Sequence, residues 1–208
     1  AAAFILVLVL MKLVMFPQMI KEDMKNPIMA SVAGTFPMAL MLLSTYVKPF
    51  IGAAAKYLWF FAIGLHIALI IYFTIKFILK LQMPKVFASY YIVYVGIAVA
   101  AVTAPAFEQL NVGAAAFWFG FATLILLLIL VTLRYTKYPE IPEPAQPLIC
   151  IYAAPTSLCI AGYVQSVMPK SKSFLLSMLV LATILYIFAL VKAVGYLRLQ
   201  FYPSYAAF

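Results

Sequence analysis

The stretch PIMASVAGTFPMALMLLSTYV, residues 27–47, decides the fold of this chain. It is apolar and long enough to cross the core of a bilayer, which takes about 20 residues of helix. It opens on Pro27, which suits the first turn of a helix because the N–H groups there have no partner within the helix. A second proline, Pro37, follows ten residues later. The stretch therefore predicts a transmembrane helix that is interrupted near its middle.

The proline that opens this stretch recurs along the chain at nearly equal intervals. Pro84, Pro144 and Pro203 follow Pro27 after steps of 57, 60 and 59 residues, and each lies at or just before the start of another apolar stretch. An interval near 59 residues suits two membrane-spanning helices with their loops. Repeated units of this kind are common in channels and transporters, where they surround a path. The pattern predicts a repeated helical hairpin in a membrane.

The composition excludes a soluble protein. Hydrophobic residues make up 68% of the chain and charged residues 9%, whereas a soluble domain carries about 25% charged residues. The formal net charge of +9 comes from lysines and arginines that lie mostly between apolar runs. We interpret it as a membrane-orientation signal and expect no nucleic-acid partner. Cys150 and Cys159 are nine residues apart, about 13 Å along a helix, which is too far for a disulfide.

Seven apolar runs are long enough to cross a bilayer, and an eighth begins at Pro203. They are residues 1–20, 27–47, 54–79, 86–106, 113–133, 144–168 and 173–197. Because the loops between them are short, we predict antiparallel neighbours in one transmembrane domain, residues 1–208, surrounded by lipid. Nine Lys and Arg residues lie on one side and four on the other, which predicts that the first side is cytoplasmic. The nine are Lys21, Lys25, Lys76, Lys80, Lys85, Arg134, Lys137, Lys192 and Arg198, and the four are Lys48, Lys56, Lys170 and Lys172. The proline-started helices then run from inside to outside.

The two helices of each predicted hairpin differ. The proline-started helices are interrupted at Pro37, Gly96 and Pro155, whereas the return helices contain no proline. An interruption frees backbone N–H and C=O groups, which at membrane depth must face protein or water. We therefore predict an all-α membrane fold in which kinked inner helices surround a central pore and return helices form an outer ring. The alternative is that proline and glycine are simply common in membrane helices.

The predicted pore lining is neutral. All five acidic residues lie in the breaks between helices, so the runs hold no carboxylate that could bind a cation or carry a proton. Hydroxyls and freed backbone groups can replace part of an anion's hydration without binding it tightly. The predicted pore-lining residues are Ser31, Gly34, Thr35, Phe36, Pro37, Ser89, Gly96, Thr103, Ala154, Pro155, Thr156 and Ser157. Ordinary helix packing is the alternative role for each of them.

His66, midway along the run 54–79, is the one histidine. It could relay protons or bind a ligand, but we favour a neutral histidine that is hydrogen-bonded between helices. The chain contains no catalytic or metal-binding motif, so we predict neither enzymatic activity nor a metal or other cofactor. Lys192 would be the candidate to hold retinal in a seven-helix protein, but a retinal Schiff base needs a carboxylate counter-ion at membrane depth, which is missing.

Three groups of residues carry a family resemblance. They are Asn26-Pro27 with Ala30-Ser31 and Gly34-Thr35-Phe36-Pro37, then Pro147 with Tyr152-Ala153-Ala154-Pro155, and finally Phe201-Tyr202-Pro203-Ser204-Tyr205-Ala206-Ala207-Phe208. Together with the repeat, these groups resemble the tellurite-resistance/dicarboxylate transporter family. That family includes bacterial TehA-like proteins and the plant guard-cell slow anion channels.

The resemblance implies ten helices, arranged as five hairpins around a quasi-fivefold pore and assembled as a homotrimer in the plasma or inner membrane. Residues 1–208 would correspond to helices two to eight and the start of the ninth. A phenylalanine midway along the ninth helix gates the pore in that family, and we expect its counterpart just beyond Phe208. Phe36 is a candidate for a second narrowing, on the basis of the repeat alone.

We therefore predict a membrane anion channel or transporter whose partners are small inorganic or organic anions. The alternative within transport is a proton-coupled carrier of a dicarboxylate, sulfite or tellurite-like oxyanion, but the missing carboxylates favour passive flow. A seven-helix receptor or sensor is an alternative of another class, and it gives no reason for a repeated hairpin. Hydroxyls and amides select weakly among anions, so the sequence does not point to one anion.

Overall fold

Every regular element in the described part of the chain is helical, which confirms the predicted all-α membrane fold. A computed structural model describes residues 2–207, with side chains described at 4–5, 7–12 and 14–205. Ala1, in the first predicted run, and Phe208, in the last resemblance group, lie outside the described residues. Five helical segments within this part are long and apolar enough to span a membrane, namely Pro27–Ile51, Ala54–Ile78, Leu110–Lys137, Glu143–Ser166 and Lys172–Tyr196.

The α-helices follow the order of the predicted runs. They are α1 (Ala2–Met15), α2 (Pro17–Asp23), α3 (Pro27–Val32), α4 (Thr35–Ile51), α5 (Ala54–Phe73), α6 (Tyr90–Tyr94), α7 (Ala98–Thr103), α8 (Leu110–Lys137), α9 (Ala153–Ser166) and α10 (Lys172–Tyr196). A π-helical turn, Thr74–Ile78, extends α5. Short 3₁₀ helices cover Met83–Lys85, Ala104–Phe107, Glu143–Tyr152 and Pro203–Ala207.

Local sequence explains where the first complete hairpin starts and turns. Asn26 caps α3, because its side-chain oxygen accepts hydrogen bonds from the N–H groups of Ile28 and Met29 at 2.9 and 3.3 Å. Pro27 then occupies the first helical position, where it sacrifices no hydrogen bond. The helix pair α4 and α5 is joined at Gly52, whose φ of 58° lies in a region that suits glycine.

The interruptions lie before the prolines and not at them, which corrects the predicted positions at Pro37 and Pro155. Each of these prolines is the third residue of a helix, in α4 and α9 respectively. A proline ring clashes with the carbonyl four residues earlier, but it is tolerated in a first turn. The preceding helix therefore ends at Val32 in one case, and the 3₁₀ segment gives way to α9 after Tyr152 in the other.

The run 86–106 departs furthest from a continuous helix. It consists of the short helices α6 and α7, separated by a turn at residues 95–97, and then a 3₁₀ turn. The N–H groups of Val95 and Gly96 both bond to the carbonyl of Tyr91, so the helix widens locally just before it breaks. The interruption predicted at Gly96 is therefore present, and it occupies a wider stretch than a kink. The run 1–20 is likewise divided, at Phe16, because Pro17 opens α2.

The proline-started segments lie side by side, and the return helices pack behind them. Helices α3 and α4 pack on α6 and α7, and α7 packs on α9. The return helix α5 packs on α4 and α6, α8 packs on α6, α7 and α9, and α10 packs on α9 and the 3₁₀ segment before it. The result is an inner layer of interrupted segments and an outer layer of continuous helices.

Contacts between the first two inner segments follow the sequence repeat. Gly34 lies against Ile92, and Met38 lies against Gly96; both pairs are 58 residues apart. Equal offsets of this kind show that the two segments run parallel and that equivalent positions lie at the same level.

The core lies in the inner layer. Within the most apolar window of Glu143–Ser166, 61% of the residues are buried, against 28%, 33% and 17% for the three return helices in chain order. Nearly all of α6 and α7 is buried as well. Pro27–Ile51, at the edge of the layer, is 33% buried. The return helices thus present most of their apolar surface outward.

Candidate anion path

The interruptions of the three inner segments meet around Ile92. Gly34 approaches it so closely that an added Cβ would lie 3.2 Å from the Ile92 Cγ2 atom. On its other side, Ile92 lines a crevice of about 660 Å³ together with Ala154 and Ser157 of α9. One half-buried side chain of the middle segment therefore links the interruptions of its two neighbours.

The crevice is mainly apolar, with α10 forming its outer wall. Its remaining lining residues are Cys150, Ile151, Ala153, Tyr186, Ala189, Leu190 and Ala193. The Ser157 hydroxyl is exposed and donates a hydrogen bond of 3.2 Å to the carbonyl of Ala153. A hydroxyl that bonds back into its own helix gives up a bond with a net value of about 1 kcal/mol when it turns to a ligand. Ser157 can therefore donate to a passing anion at small cost.

The predicted pore-lining residues fall into three groups. Thr35, Ala154 and Ser157 are exposed and Phe36 is half-buried. Ser31, Gly34, Pro37, Ser89, Gly96, Pro155 and Thr156 are buried. Thr103, also buried, accepts a hydrogen bond of 2.7 Å from the Trp59 indole of α5. The structure thus brings Gly34, Ala154 and Ser157 together around Ile92, whereas the Thr103 hydroxyl is engaged with the outer layer.

Two of the buried hydroxyls have no hydrogen-bond partner in the described part of the chain. They belong to Ser89, at the start of α6, and Thr156, in the first turn of α9. The Ser31 hydroxyl instead donates to the carbonyl of Ile28 at 2.7 Å, and Thr35 donates to Val32 at 2.8 Å. Buried polar groups normally find a partner or an ordered water. The two unpaired hydroxyls mark polar positions next to the interruptions.

Gly96 permits close contacts with both of its neighbouring elements. An added Cβ would lie 2.1 Å from the Ile92 carbonyl oxygen, 2.7 Å from the Met38 Sδ atom and 3.0 Å from the His66 Cε1 atom. No side chain fits at these separations. The break in the middle segment is therefore enclosed by α4 on one side and α5 on the other.

His66 satisfies a backbone group beside this break. Its side chain is completely buried, and Nε2 lies 2.8 Å from the carbonyl oxygen of Val93. Because a carbonyl can only accept, Nε2 carries the hydrogen and donates it. The predicted hydrogen bond between helices is confirmed, and it ties the outer helix α5 to the inner segment.

Arg134, near the end of α8, is completely buried, whereas its place in the sequence predicts only a charge in a loop. Its guanidinium donates to the carbonyls of Tyr138, Pro84 and Glu140, at 2.8, 3.0 and 3.3 Å. It therefore ties the end of α8 to the start of the middle inner segment. Nothing in its sequence context, a basic residue at the end of an apolar run, distinguishes this role from orientation.

Ile92 was also missed, although the repeat contained a signal for it. Residue 92 lies 58 residues after Gly34 and 59 before Ile151, and all three positions lie at the interruptions or line the crevice. A pore lining predicted from hydroxyl groups does not include an aliphatic residue. The repeat of about 59 residues makes Ile92 equivalent to Gly34 and Ile151, and this equivalence predicts its position.

A comparison with protein families decides the identity. The model of a voltage-dependent anion channel family matches residues 1–208. The chain belongs to this family. The match confirms the resemblance that the proline-started motifs and the repeat carry. No curated protein matches the chain.

Membership in the voltage-dependent anion channel family settles the general class of function. The chain is a multi-pass membrane protein of a family of anion channels and transporters, with small anions as substrates and membrane lipid as surroundings. Family members are channels and transporters rather than enzymes.

Proposed function

We propose that the chain conducts small anions passively along a path between its proline-started segments. The observation that carries the proposal is that three interrupted segments meet at one level, around Ile92, with no carboxylate among the residues there. An acidic side chain at membrane depth would attract cations and repel anions. A neutral lining leaves anions as the favoured ions when hydrogen-bond donors are present.

The interrupted helices support the proposal by the direction of their backbone. Helices α4 and α9 begin at the interruptions, at Thr35 and Ala153. The first N–H groups of a helix lack partners within it and carry partial positive charge. Discontinuous membrane helices use such ends to stabilise anionic groups. Most of these N–H groups are already bonded here, because those at the start of α9 donate to the carbonyls of Cys150 and Ile151 and that of Phe36 donates to Ala33. An anion near Ile92 would therefore meet the partial positive charge of the two helix ends and the Ser157 hydroxyl.

The pore-lining residues of this proposal are those on the exposed side of the inner layer. They are Thr35, Phe36, Ala154 and Ser157, with Ile92 added. The path also includes three buried hydroxyls if water reaches them, those of Ser31, Ser89 and Thr156. Its shape depends on the backbone at four further positions, Gly34, Pro37, Gly96 and Pro155.

We test the path with thiol reagents, in a background in which Cys150 and Cys159 are replaced. Ser157→Cys should react with an anionic, water-soluble thiol reagent and lose anion flux in liposomes, because the added charge would lie in the path. Thr103→Cys is the matched control, since Thr103 bonds to the outer layer, and it should keep its flux. Equal loss in both variants, or no loss in either, would contradict the proposed path.

The proton-coupled carrier gains no support from the residue that would have to carry the proton. His66 is buried on the outer helix α5 and engaged with the Val93 carbonyl, and it does not line the crevice beside Ile92. Passive conduction is therefore the mechanism we propose. An anion flux that required a pH gradient would favour the carrier.

The assembly of the protein, the membrane in which it lies and its substrates form part of the same proposal. By its resemblance to the TehA-like proteins and the plant channels, the protein assembles as a homotrimer in the plasma or inner membrane, and its substrates include tellurite-related oxyanions. Mass measurement of the protein in lipid nanodiscs tests the assembly. A mass of three subunits supports it, and a monomer or dimer would refute it.

A further inference from the structure

A second crevice, separate from the proposed path, opens in the outer layer. It has a volume of about 630 Å³ and lies between α8, α10 and the 3₁₀ segment Glu143–Tyr152. Its lining includes Thr136 of α8 and Gln146 of the 3₁₀ segment. None of the predicted pore residues lines it. The crevice therefore calls for an occupant other than the conducted anion.

The crevice has a polar end and an apolar end. Along α10 its lining residues are Ile184, Leu185, Phe188, Lys192 and Tyr196, which share one face of the helix. Lys192 lies two turns beyond Ile184, about 12 Å along the axis. The apolar residues therefore occupy the part nearer the membrane centre, and the ammonium group lies toward the end that the charge distribution places in the cytoplasm.

Lys192 has no acidic partner in the described part of the chain. The ion pairs there join Lys12 to Asp23 and Lys25 to Glu22. The Lys192 ammonium instead lies over the Phe188 ring, 5.9 Å from its centroid.

The polar end also has little compensating negative charge. The buried Arg134 guanidinium lies 5.0 Å from the ring centroid of Tyr135, another lining residue. Glu140 and Glu143, on either side of the lining residue Ile141, are both exposed, and Glu143 accepts a hydrogen bond of 3.2 Å from Tyr202. A cation is thus left available at the mouth.

The apolar end opens sideways to the lipid. The Ile184 side chain is 59% exposed. Its neighbours on the outer face of α10 are also exposed, and Ile187, for example, is 55% exposed. A ligand that reaches this end from water would have to cross hydrocarbon, whereas a lipid reaches it by lateral diffusion. An acyl chain matches the apolar end, and a phosphate matches the ammonium. The Thr136 hydroxyl and the Gln146 amide, which donate to nearby backbone carbonyls, can turn to the same phosphate.

We propose that this crevice binds an anionic phospholipid of the cytoplasmic leaflet. The phosphate lies at Lys192, and an acyl chain follows Phe188, Leu185 and Ile184 toward the membrane centre. A lysine near a membrane surface strengthens binding to anionic lipid about fivefold. The chain would thereby prefer an anionic to a zwitterionic lipid at one defined place.

Native mass spectrometry of the whole protein tests the proposal, with phosphatidylglycerol and phosphatidylcholine of identical acyl chains as probes. The wild type should retain phosphatidylglycerol in preference to phosphatidylcholine. Lys192→Gln should lower phosphatidylglycerol binding about fivefold and remove the preference. Lys76→Gln is the matched control, because Lys76 lies near the same end of another return helix and its ammonium is also 5.9 Å from a phenylalanine ring, that of Phe77. It should bind as the wild type does.

A second pair of variants tests the apolar end. Leu185→Trp should fill it and weaken the binding of both lipids, whereas Val191→Trp, at an exposed position on the same helix, should not. Equal effects of the two lysine variants, or no lipid preference in the wild type, would overturn the proposal. It would also be overturned if Leu185→Trp changed the oligomeric mass and left lipid binding intact, because the crevice would then receive another subunit. If Leu185→Trp does not fold, the comparison of Lys192→Gln with Lys76→Gln tests the proposal by itself.

Discussion

Residue 96 must be glycine, because the surrounding atoms leave no space for a Cβ atom. The methyl group of an alanine would overlap the Ile92 carbonyl, the Met38 sulfur and the His66 ring. We expect Gly96→Ala to lower the free energy of unfolding by about 1–3 kcal/mol, the usual cost of overpacking. Gly64→Ala is the control, since nothing lies within 4 Å of a Cβ there, and it should stabilise the helix slightly. Unfolding in detergent measures both. Equal stability of the two variants would show that the close contact does not exist.

At residue 66 the expected effect concerns stability and not permeation. His66→Ala leaves the Val93 carbonyl without the donor that lies 2.8 Å away, and an unsatisfied buried acceptor costs about 1–3 kcal/mol. We therefore expect a lower unfolding temperature, with the pH dependence of the anion flux unchanged. Flux in liposomes over a range of pH measures the second quantity. A large change in that pH dependence would instead identify His66 as a proton relay.

At the scale of the helices, water should reach one layer and lipid the other. Thr35 in the inner layer is exposed, and so are Ile71, Ile129 and Ile184 on the three return helices. A thiol reacts as its thiolate, which forms readily only in contact with water. Cysteine at position 35 should therefore react with small water-soluble reagents applied from both sides, whereas cysteine at the three return-helix positions should react slowly. Similar rates at all four positions would contradict the division into a pore-facing and a lipid-facing layer.

The order of the helices and their division into layers could be predicted from the prolines and the apolar runs. The exact interruptions could not, because a proline destabilises the turn that precedes it and is itself accepted into the next helix. Pro37 and Pro155 therefore mark breaks that lie several residues upstream. The division of 86–106 into two very short helices depends on packing by Met38 and His66 around Gly96, which no local pattern contains.

The candidate site was predicted less completely than the fold. Ser157, a hydroxyl residue, and Ala154, beside Pro155, do line the crevice. Thr103 is an equal candidate by residue type, but its hydroxyl is bonded to Trp59, because the direction of a side chain depends on how its helix is rotated. A periodic sequence fixes the level of a residue in the membrane more firmly than the direction in which it points.

At the scale of the whole molecule, the charge distribution predicts its orientation. The more positive side should be cytoplasmic, which places Lys85 inside and Lys170 outside. Cysteine at position 85 should be labelled by an impermeant reagent only after cells are opened, whereas cysteine at position 170 should be labelled on intact cells. The reverse pattern would invert the molecule and would move the proposed lipid site to the outer leaflet.

The central claim is that the chain conducts anions through a neutral path. The most direct test is the reversal potential of the reconstituted protein under a gradient of potassium chloride. We predict that it follows the chloride equilibrium potential, and that it changes little when potassium is replaced by sodium, because the meeting point of the inner segments around Ile92 offers donors and no carboxylate. A reversal potential that followed the cation gradient would contradict the account.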